Sequence, residues 1–253
     1  MAGHNKWSKV KHIKGPADAK RGKLFSKLSM EISYAVRVGG ADIDLNPRLR
    51  QAISNAKSQN MPGDTIERAL KKGSGDVDGV TYEEALYEAY APGGIAMLVE
   101  VVTDNKNRSA ADIRNILSKN GGSFADSGSV AYLFDRKGEI VLDIESGDAD
   151  ELFNHAIEAG AEDIESSEDG HVITTAPDQL DAVSTALQAN SIEPESQKLI
   201  FKPQITIEIG TAKIASQVLR IYGLLDDYDD AQSVYANFDI SDELLAEAEA
   251  LID

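Results

Sequence analysis

The residues best suited to bind another molecule lie in the first 27 positions, MAGHNKWSKVKHIKGPADAKRGKLFSK. This basic segment, residues 1–27, holds seven lysines and one arginine but only one acidic residue, Asp18. Lysine and arginine bind nucleic-acid phosphates, and an aromatic ring offers a surface on which a base can stack. The pattern predicts a nucleic-acid-binding site made of Lys6, Trp7, Lys9, Lys11, His12, Lys14, Lys20, Arg21, Lys23 and Lys27.

Two other interpretations of the basic segment stay open. A lysine-rich end can simply keep a chain soluble, or it can direct the chain to a compartment. Targeting is the weaker of the two, because a mitochondrial transit peptide is rich in arginine and serine. Further cations along the next helices could extend a binding surface, namely Arg37, Arg48, Arg50, Lys57, Arg68, Lys71 and Lys72.

Charge is strongly segregated along the chain. The first 75 residues carry 15 Lys and Arg against 6 Asp and Glu, whereas the remainder carries 10 against 37 and the whole chain has a net charge of −18. Such asymmetry indicates one face suited to a polyanion and a body that repels it. The acidic part either serves repulsion alone or binds a basic protein partner.

Signatures of catalysis are missing from the sequence. The segment GPADAKRGK resembles a phosphate-binding loop, but six residues separate its glycines where a P-loop has four. Leu24 stands where that loop needs Ser or Thr for magnesium, and no strand precedes it. We therefore expect no catalytic residues, and the protein is expected not to be an enzyme.

Metal and cofactor sites are not indicated either. Cysteine is absent, and the Asp226–Asp230 run lacks the spacing of an EF-hand, so a solvated turn is the better interpretation. No metal pattern links the four histidines His4, His12, His155 and His171. No apolar run is long enough to span a membrane, and the N-terminal residues lack the apolar core of a secretory signal, so we expect none. The expected location is the cytoplasm, with no membrane partner and no cofactor.

The pattern of apolar residues predicts an α+β protein of three domains. Apolar positions recur every three or four residues in three stretches between residues 17 and 73, which predicts three helices. IAMLVEVVT and SVAYLF are interpreted as strands, with Ser109 and Asp112 as a capping box for the helix between them. Residues 139–201 follow the order β-α-β-β-α-β. The expected domains are 1–75 (basic segment and helices), 76–136 with 204–253 (a discontinuous middle domain), and 137–203 (an inserted domain).

Long motifs carry a resemblance to a known family. The opening 28 residues, NPRLRQAI, NMPGDTIERALKKG, YEAYAPGGIAMLVE, TDNKNRSAADIRNILSKNGG, GSVAYLF and VYANFDI closely resemble the YebC/PmpR proteins, which include the mitochondrial translational activator of cytochrome c oxidase. The resemblance implies an N-terminal three-helix domain followed by two α/β (ferredoxin-like) domains, the last inserted into the middle one. It brings no catalytic residues.

The same resemblance implies two possible roles. One is that of a cytoplasmic, YebC-type, probable DNA-binding transcriptional regulator. The alternative is a ribosome-associated translation factor that binds ribosomal RNA and relieves stalling on difficult sequences such as consecutive prolines. Arg48, Arg50 and Gln51 are the nearest candidates for a groove-reading helix, whereas a basic segment with one Trp suits irregular RNA at least as well. We expect a nucleic-acid-binding regulator of gene expression, with the polymer and the oligomeric state open.

Overall fold

The chain folds into α-helices and mainly antiparallel sheets, and a computed structural model describes residues 17–75, 81–168 and 170–252. In these residues the helices are α1 Ala17–Gly39, α2 Pro47–Ser58, α3 Gly63–Ser74, α4 Lys106–Lys119, α5 Ala149–Glu158, α6 Leu180–Ala189, α7 Ala212–Asp226 and α8 Asp242–Glu249. The strands are β1 Glu83–Ala91, β2 Ile95–Thr103, β3 Ser123–Ala125, β4 Phe134–Leu142, β5 Asp163–Ser167, β6 Gly170–Thr175, β7 Ser196–Pro203, β8 Ile207–Glu208, β9 Ala231–Ala236 and β10 Phe238–Asp239. The predicted α+β class is confirmed.

The three helices α1, α2 and α3 pack around one apolar core. Asn46 organises the turn between the first two: its side chain accepts the Leu49 N–H at 3.0 Å and donates to Ala35 O and Gly40 O, both at 2.8 Å. Helix α1 passes so close to α3 that a Cβ at Gly73 would lie 2.5 Å from Ser33 O. The buried core consists of Ile32, Ala35, Val36, Leu49, Ala52, Ile53, Ala56, Met61, Ile66 and Ala69.

A four-stranded sheet of order β3-β1-β2-β9 follows the helices. Strands β1 and β2 form a hairpin from Glu83 opposite Thr103 to Ala91 opposite Ile95, and Gly93 closes it with φ of 81°. Helices α4 and α7 pack against this sheet, and α1 also contacts β2 and β9. The chain order is β1-β2-α4-β3 and, after a long insertion, α7-β9.

The insertion forms a second sheet, of order β5-β6-β4-β7, with the chain order β-α-β-β-α-β. Its core includes Ile140, Leu142, Leu152, Ile173 and Val183. Asp135–Lys202 lie in one compact unit, and the described residues on either side of them form the other. The chain leaves the larger unit after Phe134 and re-enters it at Pro203. The adjoining residues of the larger unit lie side by side, since the Gln204 N–H donates to Leu133 O at 2.9 Å. The further division of the larger unit into a helical and a middle domain stays a prediction.

The predicted capping box at Ser109 and Asp112 is wrong. Helix α4 begins three residues earlier, at Lys106, because the side chain of Asn105 accepts the Arg108 N–H at 3.1 Å. Ser109 is buried in the first turn, and its hydroxyl is engaged with Thr103 instead.

The predicted strand SVAYLF is also wrong, because residues 131–133 form a short 3-10 turn and the strand starts at Phe134. The buried carboxylate of Glu88 on β1 imposes this turn. It accepts the N–H groups of Gly128 at 2.5 Å, Val130 at 2.6 Å and Ala131 at 2.9 Å. Burial alone would raise the pKa of Glu88, but these backbone donors outweigh burial and lower it.

Glu88→Gln should make the protein less sensitive to acid. A carboxylate with a lowered folded pKa contributes stability that is present above the unfolded pKa of about 4.3 and is lost as the pH falls through the folded pKa. The free energy of unfolding in urea, measured from about pH 7 to pH 3, should therefore fall more steeply for the unmodified protein than for the variant. Parallel curves would contradict this role of Glu88.

Candidate nucleic-acid interface

The structure locates part of the predicted nucleic-acid site. Lys6, Trp7, Lys9, Lys11, His12 and Lys14 lie outside the described residues, as do residues 76–80 of the predicted linker. Lys20 lies on α1, and its side chain is outside the description. Three predicted contact residues are described in full, all on α1: Arg21, Lys23 and Lys27.

Arg21 is exposed on the first half of α1. Its guanidinium lies 5.6 Å from the centre of the Phe25 ring, one helical turn further on. Phe25 itself packs against the core of the three helices. Helix α1 thus presents this cation to solvent while its apolar side holds the helix in place.

Lys23 and Lys27 are both directed to the C-terminal end of α7. Four residues apart, they lie on one face of α1. The Lys23 Nζ donates to Asp227 O at 3.1 Å, and the Lys27 Nζ donates to Asp226 O. Carbonyls at a helix C-terminus lack intrahelical partners and carry partial negative charge, which a lysine ammonium stabilises. Both of these predicted contact residues therefore have hydrogen-bond partners within the protein.

The environment of Lys27 carries opposing influences. Partial burial lowers the pKa of its ammonium, while the charges of Asp226, Asp227 and Asp229 act to raise it. These carboxylates follow a helix C-terminus, which is the unfavourable end for negative charge. The lysines of α1 supply the compensating positive charge, which gives this part of the acidic run a structural role.

Lys27→Met should lower the free energy of unfolding by about 1–2 kcal/mol, the range for a charge-assisted hydrogen bond at a helix end. It should leave nucleic-acid affinity within about twofold, because this ammonium is already bound to the α7 carbonyl. Lys57→Met, at an exposed position on α2, is the control and should change stability by less than about 0.5 kcal/mol. Equal stability losses in the two variants would show that the contact to Asp226 O stabilises nothing.

The last member of the acidic run, Asp230, is buried. Its Oδ2 accepts hydrogen bonds from Thr103 Oγ1 and Ser109 Oγ at 2.8 Å, from Tyr228 OH at 3.1 Å and from Arg108 Nη2 at 2.7 Å. The predicted solvated turn is therefore wrong for Asp230. This carboxylate joins β2, α4 and β9.

The ionisation of this cluster follows from its contacts. Burial opposes ionisation of Asp230, but bonds from Arg108, Ser109 and Thr103 lower its pKa. Burial, reinforced by the charge of Asp230, raises the pKa of Tyr228 to about 12. Arg108 also pairs with Asp104 at 2.9 Å. The cluster is a satisfied structural network, and no group of three or more His, Cys, Asp or Glu within the described part of the chain could hold a metal.

The candidate groove-reading residues on α2 are occupied by contacts within the protein. Arg48 pairs with Glu31 at 2.7 Å and with Glu84 at 2.9 Å, and it lies over the Tyr34 ring at 4.6 Å. Arg50 donates to Asp44 O at 2.9 Å. Arg48 therefore joins α2 to α1 and β1. The guanidinium groups of these two arginines bind acceptors within the protein, so they do not form a set that could read base edges together.

No described helix has both the length and the apolar character that a membrane crossing requires.

The remaining exposed cations on the three helices include Arg37, Lys57 and Lys71. Arg68 pairs with Asp64 at 2.7 Å, and Lys72 donates to Tyr82 OH at 2.6 Å.

Comparison with known proteins matches both parts of the chain. The model for the TACO1/YebC protein N-terminal domain matches residues 5–76, and that for the TACO1/YebC second and third domain matches residues 82–238. A "Probable transcriptional regulatory protein" of Desulfatibacillum aliphaticivorans is 54% identical over 98% of this chain and 100% of its own length. One of the same description from Geotalea uraniireducens is 51% identical over 96% of this chain and 98% of its own length.

A solved structure shows the same fold. The crystal structure of a conserved hypothetical protein from Aquifex aeolicus superimposes with a TM-score of 0.88 at 44% identity, covering 95% of this chain and 99% of that one. The domain matches, the related sequences and the shared three-helix N-terminus agree: the chain belongs to the TACO1/YebC family.

Proposed function

We propose that the protein is a non-enzymatic, nucleic-acid-binding regulator of gene expression that contacts the polyanion through its basic segment. The observation that carries the proposal is the charge segregation, with 15 cations in the first 75 residues and 37 carboxylates beyond them. A polyanion is attracted to one part of such a molecule and repelled by the rest. The names of the relatives support a regulatory role.

The contacts of α1 reduce the number of cations that are available to bind nucleic acid. Because Lys23 and Lys27 bind the end of α7, their charges are partly satisfied within the protein. We therefore assign most of the phosphate contacts to six cations, Lys6, Lys9, Lys11, Lys14, Lys20 and Arg21. Trp7 offers the stacking surface, and His12 a further contact to phosphate or base.

DNA is the polymer that the relatives' description favours, in the form of a transcriptional regulator. One observation favours RNA as a second candidate: Arg48 and Arg50 on α2 are held by carboxylates and backbone carbonyls. Without those arginines the candidate groove-reading set on α2 loses the two side chains that could bind guanine. A basic segment with a stacking Trp binds unpaired RNA without such a helix, as a ribosome-associated translation factor would.

Cross-linking in growing cells, followed by sequencing of the bound nucleic acid, tests the proposal. Discrete promoter fragments would support the transcriptional regulator, and one segment of ribosomal RNA would support the translation factor. A variant that lacks residues 1–16 is the control and should recover neither. Recovery of no nucleic acid above that control would refute both roles.

A further inference from the structure

The inserted unit contains a long stretch without a single cation. Residues 138–197 hold 16 Asp and Glu and no Lys or Arg. The unit's four cations all lie on β4 and β7 and are already engaged: Arg136 lies over Phe201, and Lys137, Lys198 and Lys202 pair with Glu162, Glu139 and Glu165. Like charges on one small unit repel one another and oppose its folding, so this concentration requires a reason outside the fold.

Helix α5 combines that negative charge with exposed apolar side chains. Leu152 and Ala156 face the core, whereas Phe153 remains 47% exposed and Ile157 40% exposed in the full chain. Four residues apart, Phe153 and Ile157 form one row on the helix surface. Three exposed carboxylates lie on the same helix: Asp150 adjoins Phe153 at three-residue spacing, whereas Glu151 and Glu158 lie further round the helix. In the described part of the chain, no Lys or Arg pairs with these three carboxylates. We call this surface the α5 face.

The helix itself accounts for only part of this arrangement. Asp148 caps α5 by accepting the N–H of Asp150 at 3.0 Å. Acidic residues in the first turn also interact favourably with the helix dipole. Glu158 lies at the opposite end, where a carboxylate is unfavourable. Acidic residues placed for solubility would not need Phe153 and Ile157 beside them, since exposed apolar side chains reduce solubility. An exposed apolar row next to unpaired charge is typical of a binding site for another protein.

We propose that the α5 face binds a lysine- or arginine-rich segment of a partner protein, with apolar side chains at three- and four-residue spacing. Its apolar side chains would cover Phe153 and Ile157, while its cations would meet Asp150 beside that row and Glu151 and Glu158 further round the helix. Nucleic acids and anionic membranes are repelled by the same carboxylates. A small polycation would leave the two apolar side chains uncovered. The charge and the apolar row together fit a basic amphipathic peptide.

The test uses the full-length protein and two labelled 14-residue peptides of lysine and leucine. One has leucine at three- and four-residue spacing, and the other has the same composition with the leucines scattered. Fluorescence anisotropy should show that the first binds at least tenfold more tightly, because only it forms one apolar face. Equal affinities would reduce the interaction to charge alone and overturn the proposal. No nucleic acid is present, so this assay can fail without affecting the proposed function.

Two variants locate the binding surface. Phe153→Gln with Ile157→Gln should weaken the first peptide at least tenfold, since the apolar centre is lost. Asp150→Lys with Glu158→Lys should also weaken the first peptide at least tenfold, because the new lysines repel its cations. Asp178→Lys with Glu193→Lys introduces the same charge change at exposed sites outside α5 and should cost less than about threefold. Equal losses in the two charge-reversal variants would overturn the assignment to α5. Thermal unfolding verifies that each variant is folded.

Two further outcomes would assign the α5 face to a different occupant. If deletion of residues 1–16 raises peptide affinity at least tenfold, the protein's own basic segment occupies the face and the proposed partner is wrong. If sedimentation shows a dimer that Phe153→Gln with Ile157→Gln dissociates, a second copy of the chain is the occupant, which also overturns it.

Discussion

Removal of residues 1–16 should lower nucleic-acid affinity at least hundredfold at physiological salt, because four lysines that release counterions from phosphates are lost. The same deletion should leave thermal unfolding unchanged, since the described core of the three helices draws on Phe25 and later residues. Filter binding or anisotropy with duplex DNA and with single-stranded RNA measures the effect. A loss below about threefold on both polymers would contradict the proposed surface.

Salt dependence gives the same prediction a quantitative form. Six phosphate contacts predict a slope of log K against log salt near −5 for duplex DNA and near −4 for a single strand. Replacing Lys6, Lys9, Lys11 and Lys14 by Gln should reduce the slope by about 3 to 4. Replacing the exposed Lys119 and Lys213 by Gln is the matched control and should leave the slope unchanged.

Trp7→Ala separates the two polymers. Stacking on an aromatic side chain is worth about 1–3 kcal/mol per base for a single strand, whereas bases within a duplex are already stacked. A loss on RNA alone would favour the translation factor. A loss confined to duplex DNA would favour the transcriptional regulator.

Asp230→Ala should produce the largest stability loss of any single substitution considered, about 3 kcal/mol. Removing the carboxylate leaves the hydroxyls of Thr103 and Ser109 buried without their acceptor, and it takes away the partner of Arg108. Asp229→Ala, at the adjacent exposed position, should change the free energy of unfolding by less than about 0.5 kcal/mol. Urea unfolding of the two variants measures the difference.

The stability loss of Asp230→Asn should lie between those of Asp230→Ala and Asp229→Ala. An amide oxygen can still accept from the hydroxyls, but it forms weaker bonds and carries no charge for Arg108. Unfolding free energies within about 0.5 kcal/mol for Asp230→Ala and Asp229→Ala would show that the buried network contributes nothing.

The spacing of apolar residues along the chain predicted the helices and strands that form from neighbouring residues. IAMLVEVVT coincides with β2, Ile95–Thr103, because a fully apolar run of this length is typical of a buried strand. The three helices predicted between residues 17 and 73 are likewise present as α1, α2 and α3, from Ala17 to Ser74. The β-α-β-β-α-β order of the insertion also followed from alternating periods alone.

The errors arose where a distant residue decides local structure. Glu88 captures the backbone of Val130 and Ala131 from more than 40 positions away, so SVAYLF forms a turn in spite of its apolar composition. Likewise, nothing near Lys27 in the sequence indicates a partner at Asp226, 199 positions later. Two signals did exist: lysines four residues apart on α1, and carboxylates at the unfavourable end of α7. Neither identifies its partner until the fold is known.

The hydrogen bond between Leu133 and Gln204 has a consequence for how the chain accommodates its insertion. An inserted segment whose two ends lie side by side constrains the larger unit little. The entropy cost of bringing these ends together is already offset by a hydrogen bond within the larger unit. In topological terms the inserted unit takes the place of a short connection between Leu133 and Gln204. The larger unit can therefore tolerate a change in the length of what it carries there, because such a change leaves the two ends of the insertion side by side.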